Sequence, residues 1–295
     1  MAAKQASIDL LADIKAVIDQ YPNIKMTVRQ VYYRLVAQQK LPNSTSSYNR
    51  VKRVLTEARL EGTVSFDSIE DRTRSIISPD GEQEESVGRY TRSWEAHIRN
   101  LDEHYDLPRW WGQPSKVVVL VEKQALQGLF MDVCEERAVD LLVCRGYPSL
   151  TVLYKLAKSL RRCEEDVQLL YFGDYDPSGL DIDRNVEERL SEDFGATFTF
   201  ERIAISLDQI EEYDIPPAPA KLTDSRTRGM EEKYGEAMQV ELDAIDPPDL
   251  QTIIGDAIDA HFDEDIYDND RADELENRRG RVKEWLDKLI VPRKG

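Results

Sequence analysis

Lys116-Val-Val-Val-Leu-Val121-Glu122-Lys123 and Leu169-Leu-Tyr-Phe172-Gly173-Asp174-Tyr175-Asp176-Pro177-Ser178-Gly179 decide the fold. Each is a short, unbroken apolar run that stops at acids. Runs of this length, bounded by turn residues, read as strands buried on both faces. Around them the texture alternates. Apolar runs at 116–121, 140–144, 167–173 and 197–205 are separated by helical patterns at 124–137, 149–162 and 178–192. Strands alternating with helices predict an α/β domain on a parallel or mostly parallel sheet, Rossmann-like in class. In such sheets chemistry gathers beyond the C-terminal ends of the strands. The two quoted runs place Glu122, Asp174 and Asp176 there. Asp174 and Asp176 are two apart in an extended segment, so they face the same side. With Glu122 from a neighbouring strand they are expected to converge as a set of hard oxygens suited to Mg²⁺, with Mn²⁺ as a substitute.

The N-terminal third has a different pattern. Ile8, Leu11, Ile14 and Val17 recur at helical spacing over 7–20. Thr27 with Gln30 three residues on forms a capping-box signature for a helix over 27–39. A third helix is expected from Tyr48 to Glu61, ending at Gly62. Thr63-Val-Ser-Phe66 and Asp71-Arg72-Thr73-Arg74 then suit a short β-wing. Three helices and a wing are the order of a winged-helix, CAP-like module. The reading therefore divides the chain into a winged-helix module at 1–75, a linker at 76–115, and a sheet domain with a C-terminal helical extension at 116–295.

The formal net charge of −18 conceals an uneven distribution. Residues 1–75 carry +4, whereas residues 231–276 carry −15. The whole-chain charge argues against nucleic acid, but the segmental charge leaves a basic module able to bind phosphates. In the third helix Val51, Val54, Leu55 and Ala58 form the buried stripe, and Asn49, Arg50, Lys52 and Arg53 fall opposite it. These four are the candidate DNA contacts, with Arg72 and Arg74 on the wing as weaker ones. A solvated charged face is the plain alternative. Three cysteines without a Cys-x-x-Cys pair argue for a reducing compartment and against a structural zinc site. The longest aliphatic run is five residues, Val117 to Val121, and the first 20 residues carry Asp9, Asp13 and Asp19. No membrane span and no secretory signal are expected. The expected location is cytoplasmic and nucleoid-associated.

Helix 27–39 contains Arg29-Gln-Val-Tyr32-Tyr33. Val28, Val31, Tyr32 and Leu35 cluster on one side, which places Tyr32 in the core and Tyr33 about 150° from the stripe's centre. Periodicity alone leaves Tyr33 as either an ordinary surface tyrosine or a nucleophile with Arg29 one turn away.

Val121-Glu122-Lys123, Arg145-Gly146-Tyr147-Pro148 and Gly173-Asp174-Tyr175-Asp176-Pro177-Ser178-Gly179 together resemble the Toprim domain. They are most similar to its version in the topoisomerase VI A subunit and the meiotic double-strand-break transesterase. Arg29-x-x-Tyr32-Tyr33 is similar to the tyrosine motif of the same family. The extra acids Asp181 and Asp183 depart from the pattern. The resemblance implies that Tyr33 is the catalytic tyrosine, that Arg29 assists it, and that Glu122, Asp174 and Asp176 hold Mg²⁺. It implies a type IIB topoisomerase-like transesterase, of the isomerase class, that cleaves double-stranded DNA and leaves a 5′-phosphotyrosyl link. It also implies a homodimer in which the tyrosine of one subunit meets the metal of the other. Only 26 residues precede the capping box and no phosphate loop is found, so the expectation is a compact A-only type with no ATP site. A need for an ATPase partner is not read from the sequence. Glu241 resembles a late glutamate of the A-subunit pattern without an assigned role. Two other functions fit the residues: a metal-dependent nuclease that activates water, and a non-catalytic architectural DNA-binding protein.

Overall fold

The computed structural model describes residues 2–22, 24–69, 91, 94–95, 97–219 and 238–290. By internal contacts the chain forms two compact units, one of residues 1–74 with 115–261 and one of residues 75–114 with 262–295.

The first unit is built on a four-stranded parallel sheet in the order β2-β1-β3-β4. Its strands are β1 (Ser115–Val121), β2 (Asp140–Val143), β3 (Asp166–Phe172) and β4 (Thr199–Ala204). The register runs Val118 to Asp140 on one side of β1 and Val118 to Leu169 on the other. Val117 to Val121 are all buried, as an inner strand covered on both faces must be. Leu120, Leu153, Ala157, Leu169, Tyr171 and Val186 belong to the core on one face. Phe130 meets Phe172 at 5.0 Å between ring centroids. The helix Gln127–Arg137 also packs on the helix Pro247–Asp259, and Arg137 Nε donates to Asp259 at 3.0 Å. The thiols of Cys134 and Cys144 are buried.

The strand order fixes where a site can form. From β1 the chain crosses to β2 on one side, and from β3 it crosses to β4 on the other. β1 and β3 are neighbours whose connections leave in opposite directions. The crevice beyond their C-terminal ends is the topological switch point of the sheet. Glu122 directly follows β1, and Gly173 and Asp174 follow β3.

Three helices precede the sheet: α1 (Ala2–Asp19), α2 (Val28–Ala37) and α3 (Thr45–Leu60). They bury Leu10, Ile14 and Val17, then Val31, Tyr32 and Leu35, then Val51, Val54, Leu55 and Ala58. The capping box is formed as expected. Gln30 N donates to Thr27 Oγ1 at 3.2 Å, and Thr27 N donates to Gln30 Oε1 at 2.8 Å. Ser44 caps α3 through Ser47 N at 3.2 Å.

The expected wing is not seen among the described residues. Thr63 N and Val64 N both donate back to Ala58 O, so the chain folds against the end of α3. Ser65 Oγ accepts from Asp67 N and favours a turn, and Phe66–Ser68 is a single 3₁₀ turn. Ile69 then makes one parallel bridge with Met26. Asp71, Arg72, Thr73 and Arg74 lie outside the described residues.

The second unit contains Leu101–His104 and the long helix Arg271–Ile290. Arg271 is buried and donates to Pro108 O at 3.0 Å, to Asp106 Oδ1 at 2.7 Å and to Leu107 O. Trp110 stacks edge-on against Phe262, and Gln113 exchanges two hydrogen bonds with Asp263. The stretch read as a linker at 76–115 thus groups with the C-terminal helix. The N-terminal helices group with the sheet. The sequence could not show either grouping, because both rest on contacts between ends more than a hundred residues apart.

Thr27→Ala should lower the unfolding free energy by about 1 kcal/mol, the usual cost of losing an N-cap. Urea unfolding followed by circular dichroism measures it, and an unchanged midpoint would deny the cap any weight.

Candidate functional site

The crevice at the switch point is filled by a network with Lys123 at its centre. Lys123 Nζ lies 2.9 Å from Asp174 Oδ2, 2.9 Å from Glu241 Oε2 and 2.9 Å from Asp243 Oδ2. An ammonium has three protons, and each has a carboxylate here. Burial opposes the charge on Lys123. The charges of Asp243, Asp174 and Glu241 outweigh it and hold the ammonium well above its ordinary pKa.

Glu241 and Asp243 reach this place through a backbone clip. Tyr175 N donates to Val240 O at 2.8 Å and Val240 N returns to Tyr175 O at 3.0 Å. Leu242 N then donates to Asp174 Oδ1 at 2.8 Å. The segment 240–244 is thereby laid over the end of β3. Its other side receives α2, which packs against Leu242–Ala244. Arg29 Nη1 meets Glu241 Oε2 at 2.6 Å, and Arg34 donates to Ala244 O and pairs with Asp246 at 3.2 Å.

The structure therefore brings Arg29 and Tyr33 together with Lys123, Asp174, Glu241 and Asp243 in one compact unit of one chain. Tyr33 differs from expectation in one respect. It is 9% exposed, not outward-facing. Helical periodicity reports only the side of α2 that meets α1 and α3; the second cover comes from residues 240–244, far along the chain. Burial, and then the charge of Glu241, raise the Tyr33 pKa above the ordinary phenol value, while Arg29 and Lys123 pull against them. Tyr32 is in the core as expected, with its hydroxyl on Asn43 Oδ1 at 3.0 Å. A cavity of about 250 Å³ beside Tyr33 is lined by Asp214, Asp246 and Asp249 against one cation, Arg34, so its charge disfavours a phosphate.

Glu122, Asp174 and Asp176 stand at the strand ends as expected, but each already has a task. Glu122 Oε2 accepts from Asp174 N at 3.0 Å, and Asp176 Oδ1 accepts from Gly179 N at 2.7 Å. Both oxygens of Asp174 are engaged, one by Lys123 and one by Leu242 N. Among the described residues no three His, Cys, Asp or Glu side chains are grouped to hold a metal ion. The donors nevertheless fit Mg²⁺ in kind, and Glu122 and Asp176 each keep a second oxygen. The loop is also shaped around Glu122. A Cβ at Gly173 would lie 2.8 Å from Glu122 Oε2 and 2.7 Å from Tyr171 Cε1. One at Gly179 would lie 3.3 Å from Glu122 Oε2 and collide with the Asp174 carbonyl. Burial raises the Glu122 pKa, with Asp176 adding and Lys123 opposing. Asp174 is pushed up to about 7, first by burial; Lys123 offsets this in part and Glu122 adds to it.

The sequence matches no family model and no curated protein.

The remaining expected residues divide. Asn49, Lys52 and Arg53 are exposed on the outer face of α3. Arg50 is not free for a ligand, because its guanidinium donates to Ala6 O at 2.6 Å and ties α3 to α1. Asp183 pairs with Arg202 at 2.5 Å, and Asp181 with Arg184 at 2.6 Å, so both have structural partners. The sequence motifs contain Lys123, and Asp243 stands two residues after Glu241; neither has a role in the sequence reading. A lysine directly after a strand-end glutamate, in a chain with acids to spare, was the available signal.

Two results test this network. Lys123→Met should cost about 3–5 kcal/mol, because it strands buried carboxylates; urea unfolding at neutral pH reads it, and a loss under 1 kcal/mol would show the charges to be solvated. The second concerns pH. An unfolded aspartate ionises near ~3.9. Between that value and about 7 the folded chain keeps a proton on Asp174 that the unfolded chain has released. Its contribution to stability is full below the unfolded pKa and is lost as pH rises through the folded one. Asp174→Asn cannot ionise and should flatten the decline in urea midpoint over that window; an unaltered profile would place the raised pKa elsewhere.

Proposed function

We propose that this chain is a DNA transesterase of the kind its motifs resemble, with Tyr33 as nucleophile and a strand-end carboxylate site as the metal centre. The observation that carries the reading is the meeting of Arg29 and Tyr33 with the crevice beyond β1 and β3. The two motifs are about a hundred residues apart in sequence, and the fold brings them into one unit.

In this reading the Tyr33 hydroxyl attacks a DNA phosphorus, a phosphotyrosyl bond forms, and the 3′-oxygen leaves with a proton. Arg29 would hold the phosphate by charge-assisted hydrogen bonds. Glu122 and Asp176, with Asp174 once released from Lys123, would hold Mg²⁺, which supplies charge neutralisation at the phosphate and the leaving oxygen. The exposed Asn49, Lys52 and Arg53 would follow the DNA backbone. Each tyrosine breaks one strand, so a double-strand break calls for a homodimer, here with each Tyr33 beside the crevice of its own chain instead of the partner's, unlike the shared sites the resemblance implies. Cytoplasmic, nucleoid-associated action belongs to the same proposal. No helix among the described residues is long and apolar enough to cross a membrane.

Metal-dependent hydrolysis is the second reading, and the burial of Tyr33 favours it. A buried phenol with a raised pKa is a poor nucleophile until its surroundings change. One experiment separates the two. Labelled duplex is incubated with protein and Mg²⁺, then denatured in detergent. Label should remain on the wild-type protein, and Tyr33→Phe should remove it by at least about a hundredfold with the fold intact. Tyr32→Phe should keep it, and excess chelator should abolish it. Undiminished cleavage by Tyr33→Phe would give the reaction to water, and undiminished cleavage in chelator would remove the metal from the proposal.

A further inference from the structure

We propose that Arg29 and Lys123 form a two-cation seat for a DNA phosphate, and that Glu241 occupies the seat in the free chain as a built-in surrogate for that phosphate. This deepens the transesterase reading and rests on it for what the seat serves.

The geometry is specific. A single carboxylate oxygen, Glu241 Oε2, sits 2.6 Å from Arg29 Nη1 and 2.9 Å from Lys123 Nζ. A phosphodiester oxygen binds between a guanidinium and an ammonium in the same way and carries the same single charge. Exchange of one for the other leaves the charge of the crevice unchanged. Both cations stay in place when Glu241 leaves. Lys123 keeps Asp243 even when Asp174 turns to the metal, and the Arg29 guanidinium lies 5.3 Å from the centre of the Tyr48 ring. The seat is also reachable, because the Arg29 side chain is 41% exposed whereas Lys123 and Glu241 are 17% and 14% exposed. Tyr33 lies one turn beyond Arg29 and within the electrostatic reach of all three groups.

The neighbourhood explains why a surrogate is needed. Asp243 is 1% exposed, and its Oδ1 has no hydrogen-bond partner among the described residues. Two cations facing Tyr33 without Glu241 would leave an unfilled anion site beside that buried carboxylate. With Glu241 in place the free chain is closed, and DNA must compete with an internal anion. The exposed face of α3 supplies the initial attraction, and displacement of Glu241 is the step that commits a phosphate to Tyr33.

The test is equilibrium binding of the full chain to a short fluorescein-labelled duplex, followed by anisotropy across a salt series. Tyr33→Phe is used as the background so that no covalent product forms. Glu241→Gln should bind roughly tenfold more tightly at low salt, and the slope of log affinity on log salt should steepen by about one to two, as one or two more phosphate contacts form. A structural role for Glu241 would not move the slope. Glu241→Asp, one methylene shorter and unable to span both cations, should give a smaller gain and carries the test if Glu241→Gln does not fold by circular dichroism. Unchanged or weaker binding with an unchanged slope overturns the seat. The same variants with Tyr33 restored are then trapped in detergent. Tighter binding without any covalent label upholds the seat and rejects the transesterase. Covalent label without tighter binding does the reverse.

Discussion

The ammonium of Lys123 is the constraint on which the rest of this site depends. Its three carboxylates come from two places in the chain, the end of β3 and the segment 241–243. A charge at this depth is tolerated only when its partners are complete. The chain is therefore committed to bringing 240–244 over the sheet, and the backbone clip at Tyr175 and Val240 does so. Once that segment is in place, its outer side offers Glu241, Ala244 and Asp246 to α2. The N-terminal helices are thus held on the sheet largely by polar contacts that originate in the neutralisation of one lysine.

The arrangement has an electrostatic surplus. Lys123 and Arg29 bring two positive charges against Asp174, Glu241 and Asp243, with Glu122 and Asp176 beside them. Burial is the first cause of the raised pKa values of Asp174 and Glu122, and the neighbouring acids add to it, Glu122 at Asp174 and Asp176 at Glu122. A crevice in this state admits a phosphate only in exchange for one of its own carboxylates. Burial, with the charge of Glu241 added, holds Tyr33 in its protonated form.

Much of the sheet was legible in the sequence. Strands at 116–121, 140–144, 167–173 and 197–205 emerge within two residues of the observed ones, because apolar runs between turn residues have few other fates. The helices of the N-terminal third were legible for the same reason, with Thr27 and Gln30 marking a start. Residues 63–66 misled because their β-branched and aromatic side chains suggest a strand. The hydrogen bonds of Thr63 and Val64 to Ala58 instead form a helix exit. Tyr33 misled because a helical wheel reports burial by neighbouring helices and is blind to a segment arriving two hundred residues later. Strand-end acids could be found by position, whereas their partner Lys123 became visible only once Glu241 and Asp243 had a place in space.

Gly173 and Gly179 carry a consequence for how this protein can change. Neither has the positive φ seen at Gly62 or Gly146, so backbone freedom is not what calls for glycine there. Glycine is called for because the space a side chain would take already holds Glu122, Tyr171 and the Asp174 carbonyl. The loop after β3 is a filled mould. Natural variation that retunes this crevice must therefore enter from the opposite wall, at 240–246 or along α2, where side chains meet one another and can be exchanged in compensating pairs.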